Sequence, residues 1–342
     1  MKNNHPSVSL IVLNYNGKHL LKQYFDSVFK QSLIPDEIIM LDNASTDDSI
    51  EYVKKHYPKV KIIKNTSNEG TAGGSNAGFR HATGTYVIFQ SNDLRLEKKC
   101  IENLVMTLVR DKRIGICTSV YIQDREERKN KNLVDNAGGV VDQYGFGMQK
   151  YSDVPLKVIP GTEDVFFVYG SSFIIPHALY KKVGGFDERF FTLNDDIDLS
   201  WQVRNLGYRI CYTKSSLVYH LGSATLGPLF ERGLKRYWSE RNALCTLLKN
   251  HTAGKLIAIL PMYTVLMIAQ MSFFLYKKRT DFFLSDVKAI AWNIRELPET
   301  LRRRGKIQKM RLKDVQLPFI KKSLKLKIFI DLYNYKMIDD II

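Results

Sequence analysis

The chain has 342 residues, enough for about two domains, one of which can hold a full enzyme core. Hydrophobic residues make up 44% and charged residues 25%, proportions that exclude a disordered, collagen-like or polytopic membrane protein. The 51 Lys and Arg outnumber the 35 Asp and Glu, giving a net charge of +16. We therefore expect an anionic partner: nucleic acid, phospholipid or a phosphorylated substrate.

The cysteines and the N-terminus both bear on the compartment. Cys100, Cys117, Cys211 and Cys245 lie too far apart for a zinc motif or a disulfide framework, and they suit a reducing compartment. Residues 1–6 lead into a short apolar strand without a small-residue cleavage site. We therefore expect no secretory signal.

The first half of the sequence alternates apolar runs with segments of helical spacing. Strands are predicted for the apolar runs at residues 8–13, 37–41, 60–64 and 86–90. Helices are predicted at residues 19–30, at 74–81, and from the N-capping residues 45–48 to residue 56. This alternation predicts an α/β fold with a mostly parallel sheet, whose ligand site lies at the carboxyl ends of the strands.

Polar residues follow three of these strands, in the segments 14–17, 42–45 and 91–93. Each segment by itself is most simply a turn, because Asn and Asp are common turn residues. A parallel sheet nevertheless brings all three segments to one crevice. We therefore predict a binding site at this edge.

The segment 68–78 is rich in glycine and resembles a dinucleotide-binding loop at first sight. Its glycines fall at positions 70, 73, 74 and 78, which is not the G-x-G-x-x-G spacing, and the segment does not follow the first strand. No Walker lysine loop is present either. The small residues are expected instead to let a helix approach the sheet and a nucleotide closely.

The densest acidic cluster consists of Asp195, Asp196 and Asp198, which open a predicted helix. One or two acids can cap a helix, but three together repel one another unless a cation or a proton transfer uses them. A carboxylate placed here can serve as general base toward a sugar hydroxyl. His220 follows a predicted strand at 210–219 and is either a metal ligand or a structural histidine.

The C-terminal part of the chain differs in composition. Residues 277–342 hold 17 Lys and Arg against 8 Asp and Glu, so they carry +9 of the net charge. We predict a catalytic domain at 1–225 and a helical, basic, membrane-associating region at 226–342. Residues 256–276 are uncharged and long enough to cross a bilayer. Basic residues flank this stretch on both sides, which favours a pair of helices lying in the membrane interface over a span, with a buried helix pair as the third interpretation.

Four motifs in this order resemble the family 2 glycosyltransferases, in particular the rhamnosyltransferase-like branch that builds cell-surface polysaccharides. They are the segments 8–17, 42–47 and 68–78, and the pair Gly184-Gly-Phe-Asp187 and Asp195-Asp-Ile-Asp198. Arg241-Asn242 and the segment 297–305 also look like that branch. The resemblance implies a GT-A fold, an inverting mechanism, a nucleotide-diphosphate sugar donor such as dTDP-rhamnose or a UDP-hexose, and a divalent cation, Mg²⁺ or Mn²⁺.

Carried over residue by residue, the resemblance implies three groups of site residues. Donor binding is expected of Asn14, Tyr15, Asn16, Asp42, Asn43, Asp47, Gly73, Gly74, Asn76, Asn92 and Asp93. The expected metal ligands are Asp93 and His220, because the family's Asp-x-Asp at the fourth strand reads Ser-Asn-Asp at 91–93 in this chain. Asp196 matches the general base, with Asp195 beside it, and contact with the acceptor or the diphosphate is expected of Asp198, Trp201 and Arg241.

The resemblance also implies partners and a location. We expect a peripheral enzyme on the anionic, cytoplasmic face of the cell membrane, acting on a lipid-linked or glycan acceptor, and a homo-oligomer stays open. No activated Ser or Cys nucleophile is evident, as single displacement requires none. A non-catalytic nucleotide-sugar-binding scaffold is the main alternative, supported by the reduced motif at 91–93. Nucleic acid is not expected as a partner, because the basic residues alternate with Leu and Ile rather than with stacking aromatic residues.

Overall fold

The computed structural model describes residues 6–124, 132–221 and 232–327. The strands are β1 (Val8–Asn14), β2 (Glu37–Asp42), β3 (Lys61–Lys64), β4 (Tyr86–Ser91), β5 (Leu94–Leu96), β6 (Ile114–Gln123), β7 (Val134–Asn136), β8 (Gly139–Val141), β9 (Gly147–Gln149), β10 (Thr162–Asp164), β11 (Ser172–Pro176) and β12 (Arg209–His220). The helices are α1 (Lys18–Val28), α2 (Ser49–His56), α3 (Gly70–Phe79), α4 (Cys100–Arg110), α5 (His177–Val183), α6 (Asp195–Asn205), α7 (Arg232–Asn250), α8 (Ala253–Tyr276), α9 (Thr280–Arg295) and α10 (Leu297–Met310).

The main sheet has the order β10-β12-β6-β11-β4-β1-β2-β3, with β5 paired to β12 and β7 paired to β6. The four strands expected from the apolar runs, β4, β1, β2 and β3, form its parallel part. Strand β11 runs antiparallel to both β4 and β6, so the other part of the sheet is mixed. The predicted α/β architecture is confirmed, and the antiparallel pairs involve strands that follow β4 in the sequence.

Helix α1 shows why the first half folds in this way. Its apolar residues Leu21, Tyr24, Phe25 and Val28 recur at helical spacing, and all four are fully buried against the sheet. Burial of each such side chain contributes about 1.5–3 kcal/mol to folding. The apolar stripe therefore fixes α1 on one face of β1 and β2, and leaves the end of β1 open for the polar residues that follow it.

Helix α3 lies unusually close to the sheet because glycines face it. A Cβ added at Gly74 would lie 2.5 Å from Leu13 Cδ1, and one added at Gly78 would lie 2.6 Å from Ile11 Cγ2. The close approach expected from the small residues is therefore present. It brings the start of the glycine-rich helix to the carboxyl ends of β1 and β2.

The described chain divides into two compact units. The first comprises residues 1–139, 149–204 and 208–228, and the second comprises 140–148, 205–207 and 229–342. Composition gave no reason to expect the two short segments in the second unit. Asp142 explains one of them, because its buried carboxylate accepts hydrogen bonds from the backbone of Tyr144, Phe146, Leu324 and Lys325.

Helix α8 is a single helix that continues through Pro261, where a pair of helices was expected. Among the described helices it is the one long and apolar enough, by length and composition, to cross a membrane. Its inner face is tied to its neighbours, since Gln270 Nε2 donates to Glu240 Oε1 and to Asp286 Oδ2, each at 3.1 Å. Its outer face is apolar and exposed, as at Val265 and Ile268.

Candidate active site

The ends of β1 and β2 are joined by hydrogen bonds between their last residues. Asn14 and Asp42 are parallel neighbours, and Asn14 Nδ2 donates to Asp42 Oδ1 at 2.9 Å and to Ser45 Oγ at 3.1 Å. Asp42 Oδ2 accepts from the Ser45 backbone N–H. Both Asn14 and Asp42 are fully buried. Their contacts in the structure therefore shape the loop after each strand.

Residues after β1 lie closer to the surface. Asn16 is exposed and adopts the left-handed conformation, with φ of 50°, while Tyr15 is half-buried. Asn16 Oδ1 accepts from the backbone of Thr46, and Asp47 Oδ2 accepts from the backbone N–H of Lys18. Burial raises the pKa of Asp47, but hydrogen bonds from Ser49 and Lys18 outweigh it and lower the pKa overall. The first two polar segments therefore interlock and leave Tyr15 and Asn16 at the opening.

Asn43 and Asn76 hold the glycine-rich helix in place. Asn43 Nδ2 donates to Asn68 Oδ1 and to the Gly70 carbonyl, and its Oδ1 accepts from Glu69 N. Asn76 exchanges hydrogen bonds with the backbone of Phe186 at 3.0 and 3.1 Å. Both asparagines thus connect α3 to loops around it.

The two predicted donor-binding glycines are packing positions. A Cβ at Gly73 would lie 2.7 Å from Glu69 Cβ, and Gly74 faces the sheet as described above. Gly70 has a stricter requirement, with φ of +69° and the Phe191 carbonyl oxygen where a Cβ would clash. Glycine at position 70 therefore permits the turn into α3 and the close approach of the segment that leads into α6.

The third polar segment places Asp93 beside His220. Asn92 Nδ2 donates to Asn14 Oδ1 at 2.7 Å, which links the end of β4 to that of β1. Asp93 Oδ2 lies 3.5 Å from His220 Nε2, and Asp93 Oδ1 is buried without a hydrogen-bond partner among the described residues. An orphaned carboxylate oxygen beside an imidazole nitrogen suits a divalent cation in its donor chemistry.

Asp135 is a site residue that the sequence did not indicate. Its Oδ2 lies 2.8 Å from His220 Nδ1, because β7 pairs with β6 and thereby reaches the end of β12. Burial lowers the pKa of His220, but the hydrogen bonds with Asp135 and Asp93 raise it to about 9 overall. No local motif marks Asp135, so only the pairing of strands could find it.

The acidic cluster lies in the first turn of α6. Three residues just before it, Phe191, Leu193 and Asn194, have φ between 61° and 65°, a conformation that costs free energy in residues other than glycine. Asp195 Oδ2 accepts from Thr71 Oγ1 at 2.9 Å. Asp196 is half-buried, and its Oδ1 accepts from the Ile197 backbone N–H at 2.8 Å. The strained turn therefore presents Asp196 at the edge of the protein surface.

Asp195 and Asp196 form a pair with perturbed acidity. Burial raises the pKa of both carboxyls, and the negative charge of Asp195 raises that of Asp196 further. Hydrogen bonds from Thr71 to Asp195, and from the backbone of Ile197 and Gly170 to Asp196, oppose the rise without cancelling it. Asp196 therefore holds its proton at a higher pH than an exposed aspartate does.

Two tyrosines connect the acidic pair to the Asp93 group. The Tyr121 ring packs edge-on against His220, with ring centroids 5.9 Å apart. Burial raises the pKa of Tyr121, and the charges of Asp93 and Asp196 add to it. Burial also raises the pKa of Tyr169, and the charges of Asp196 and Asp135 raise it further. Tyr121 Oη donates to the Tyr169 carbonyl at 3.4 Å and accepts from Ser171 Oγ at 3.0 Å, and the Gly170 backbone between these two residues donates to Asp196. Tyr121 therefore links Asp196 to the Asp93 group.

The remaining predicted residues lie elsewhere. Asp198 and Trp201 are fully buried; Asp198 Oδ2 accepts from Gln202 Nε2 at 2.9 Å, and Trp201 packs edge-to-face with Phe166. Both side chains face the interior of the first unit rather than an open surface. Arg241 belongs to the second unit, where its guanidinium lies over the Trp292 ring. In the described ranges, no group of three or more His, Cys, Asp or Glu side chains forms a metal-ligand cluster.

A family model described as Glycosyl transferase family 2 matches residues 9–179, half of the chain. The chain belongs to glycosyl transferase family 2. The resemblance stated from the sequence is therefore confirmed. The match covers the three polar segments and the glycine-rich helix, while Asp195 and Asp196 lie beyond its end.

Curated relatives agree with this assignment. The O-antigen chain rhamnosyltransferase WbaN of Salmonella anatum is 22% identical over 229 residues, which cover 66% of this chain and 70% of that protein. The chondroitin synthase of Pasteurella multocida (strain Pm70) is 28% identical over 134 residues, covering 38% of this chain and 14% of that protein. The chain thus spans less than a fifth of the length of relatives such as this chondroitin synthase and the O-antigen biosynthesis protein RfbC of Myxococcus xanthus.

Solved structures support the fold. The structure of GalNAc-T7 with UDP, GalNAc and Mn²⁺ matches with a TM-score of 0.53 and 18% identity, over 64% of this chain and 44% of that one. The mannosyltransferase PcManGT from Pyrobaculum calidifontis, in complex with GDP-Man and Mn²⁺, matches with a TM-score of 0.50 and 18% identity, over 87% of this chain and 88% of that one. The GT-A fold expected from the sequence is confirmed.

Proposed function

We propose that the protein transfers a sugar from a nucleotide-diphosphate donor to an acceptor hydroxyl, with inversion at the anomeric carbon. One observation carries the proposal: Tyr121 packs against His220 beside Asp93, and it bonds to Tyr169 and Ser171 on either side of Gly170, whose backbone donates to Asp196. Asp93 Oδ1 has no hydrogen-bond partner among the described residues. Proton acceptor and diphosphate-binding group would then lie on the two sides of one sugar. The family assignment does not by itself give the donor or the acceptor, so both are part of the proposal.

Asp196 would act as the general base. A half-buried carboxylate with a raised pKa is better matched to a hydroxyl proton near neutral pH than an exposed aspartate. Asp195 would tune it, since its negative charge favours the protonated product of the transfer. The acceptor oxygen attacks the anomeric carbon as the bond to the diphosphate breaks, so no protein nucleophile is needed.

Asp93 and His220 would hold the divalent cation, Mg²⁺ or Mn²⁺. The donors would be the unpaired Asp93 oxygen and His220 Nε2, whose proton the cation would displace, with Asp135 orienting the imidazole through Nδ1. The bound cation would neutralise the negative charge that develops on the leaving diphosphate. The Mn²⁺ in the two solved relatives supports this role.

The donor nucleotide would lie over the ends of β1 and β2. Tyr15 and Asn16 are the partly exposed residues there, whereas Asn14, Asp42 and Asn43 are buried and hold the loops that form the floor. Donor discrimination is assigned to Tyr15 and Asn16 for this reason. We favour dTDP-rhamnose or a UDP-hexose as donor, with the rhamnosyltransferase among the relatives as support for the former.

The acceptor would be a lipid-linked glycan in the synthesis of a cell-surface polysaccharide. Two relatives named for O-antigen synthesis support this choice, one of them a protein of Myxococcus xanthus that is 23% identical over 227 residues. Residues that contact the acceptor are not assigned, because Asp198 and Trp201 are buried.

Helix α8 supports a peripheral position on the cytoplasmic face of the membrane. Its inner face bonds to Glu240 and Asp286 through Gln270, so a helix crossing the bilayer alone would leave that buried network without Gln270. Its outer face exposes Ile257 at 76% and Ile268 at 59%, with no charge between Lys255 and Lys277. Such a helix fits the membrane interface, with basic residues at its ends meeting anionic lipid.

Nucleotide release from a panel of UDP-, GDP- and dTDP-sugars would test the proposal. Release should require Mn²⁺ or Mg²⁺, stop with EDTA, and fall about 100-fold or more in Asp196→Asn, since a general base contributes at least that much. Glu51→Gln, an exposed carboxylate on α2, is the matched control. Nucleotide binding without release by wild type, with an acceptor glycan supplied, would favour the non-catalytic scaffold instead.

A further inference from the structure

A groove between α7 and α9 in the second unit plays no part in the site described above. Its volume is about 730 Å³, which falls in the range of small-molecule sites, about 300–1,000 Å³. At one end the two helices touch, where Ser285 Oγ donates to the Gly233 carbonyl at 2.8 Å. From that contact the groove extends toward the C-terminal end of α9.

The walls of the groove are apolar and aromatic. Leu234 and Tyr237 contribute from α7, and Leu284, Ala291 and Trp292 contribute from α9. Leu284 is 51% exposed and Leu234 is 38% exposed. Covering exposed apolar side chains with an apolar chain stabilises the complex by about 25 cal/mol for each Å² of apolar surface removed from water. The groove therefore suits an extended hydrocarbon chain.

Positive charge collects at the C-terminal end of the groove. Lys288 and Arg295 are two helical turns apart on one face of α9, separated by about 10 Å along the axis. No described residue forms an ion pair with Lys288, and Arg295 makes one exposed contact with Glu296 at 3.3 Å. Arg241 packs against Trp292, which lines the groove, with its guanidinium carbon 4.5 Å from the Trp292 ring centroid.

The one acidic residue among those that line the groove is already neutralised. Asp281 lies at the opposite end, and its two carboxylate oxygens accept from Arg279 at 3.0 and 2.9 Å. Asp281 and Lys288 are seven positions apart, which corresponds to about 10 Å along the axis of α9. The groove is thus lined by apolar residues nearer the N-terminal end of α9 and by basic residues in its C-terminal half.

We propose that this groove binds a lipid phosphate, with the chain along Leu234, Tyr237 and Leu284 and the phosphate between Lys288 and Arg295. The phosphate is assigned to a membrane phospholipid headgroup, because α9 packs beside α8, whose exposed apolar face fits the membrane interface. This assignment rests on the membrane position proposed above and not on the transferase activity.

Equilibrium dialysis of the full chain against radiolabelled dodecyl phosphate, below its micelle concentration, tests the site. We expect saturable binding that dodecyl maltoside and inorganic phosphate do not compete away. The double variant Lys288→Ala/Arg295→Ala should weaken binding about tenfold or more, as loss of two charge-assisted contacts implies. Ala291→Trp should also abolish it by filling the groove while both cations stay, and Lys309→Ala, exposed on α10, should leave it unchanged.

Binding that does not saturate, or that survives both groove variants, would overturn the proposal. Displacement by phosphatidylglycerol vesicles would support the headgroup assignment, and displacement only by a long-chain prenyl phosphate in phosphatidylcholine nanodiscs would overturn it. Nucleotide release without acceptor is measured on the same variants and should stay at the wild-type level. Failure of the proposed transferase function would appear there, independently of the dialysis result.

Discussion

Replacing Asp286 by alanine would measure how strongly the buried ionic network stabilises the second unit. Asp286 is fully buried on α9, and its carboxylate accepts from Arg236 Nε at 2.8 Å, from Arg236 Nη2 at 3.0 Å and from Gln270 at 3.1 Å. Without it, the buried Arg236 keeps Glu240 at 3.2 Å but loses its two-point partner. Leaving a buried charge partly uncompensated costs about 3–5 kcal/mol of unfolding free energy.

A matched control lies on the same helix. Asp281 also pairs with an arginine through two contacts, at 3.0 and 2.9 Å, but its side chain is 50% exposed. Asp281→Ala should therefore cost about 0–1 kcal/mol. The comparison holds the residue type, the helix and the partner type constant, and changes only the burial.

Equilibrium urea unfolding, monitored by tryptophan fluorescence, would measure the free energy of unfolding of both variants. Trp238 lies on α7 and Trp292 on α9, so the signal reports on this unit. Arg236→Met/Asp286→Leu should recover most of the loss, since well-packed apolar residues replace a buried pair at little net cost. If Asp286→Ala and Asp281→Ala agreed within 1 kcal/mol, the reasoning from burial would be refuted.

Three further predictions concern the catalytic unit. Asp195→Asn should shift the acid limb of the kcat/KM profile about one pH unit lower, because Asp196 loses its proton at lower pH without the neighbouring negative charge. Initial rates measured from pH 5 to 9 would show this shift. Gly70→Ala should lower the unfolding free energy by at least about 2 kcal/mol, through its positive φ and its contact with the Phe191 carbonyl, measured by urea unfolding. Asp93→Asn should raise the Mn²⁺ concentration needed for half-maximal nucleotide release about tenfold or more, because a neutral amide replaces the charged ligand.

Each of these predictions has an outcome that contradicts it. An unchanged acid limb in Asp195→Asn would mean that another group sets it. Gly305→Ala, a helical glycine with nothing within 4 Å of an added Cβ, should stabilise by up to about 1 kcal/mol, and an equal response at Gly70 would remove the steric argument. Equal Mn²⁺ dependence in Asp93→Asn and wild type would place the cation elsewhere.

The local pattern of the sequence determined the parallel half of the fold. The apolar runs became β1 to β4, and the stripe on α1 became its buried face, because burial on both faces of a strand or along one face of a helix needs only local periodicity. The polar ends of β1, β2 and β4 do meet, since parallel strands end at one edge. The sequence also predicted that Asp195, Asp196 and Asp198 open a helix, because three acids at one helix start are conspicuous in a sequence.

What depends on contacts distant in sequence was decided only by the tertiary structure. Asp135 reaches His220 across 85 residues through the pairing of β7 with β6, and no local pattern encodes that distance. The sequence could not show that Asn14 and Asp42 are buried while Tyr15 and Asn16 stay open. Nor could composition show that Gln270 ties this helix to Glu240 and Asp286, because those two residues lie 30 and 16 positions away in the sequence. Periodicity records which side of an element is buried, and three-dimensional packing decides what that side meets.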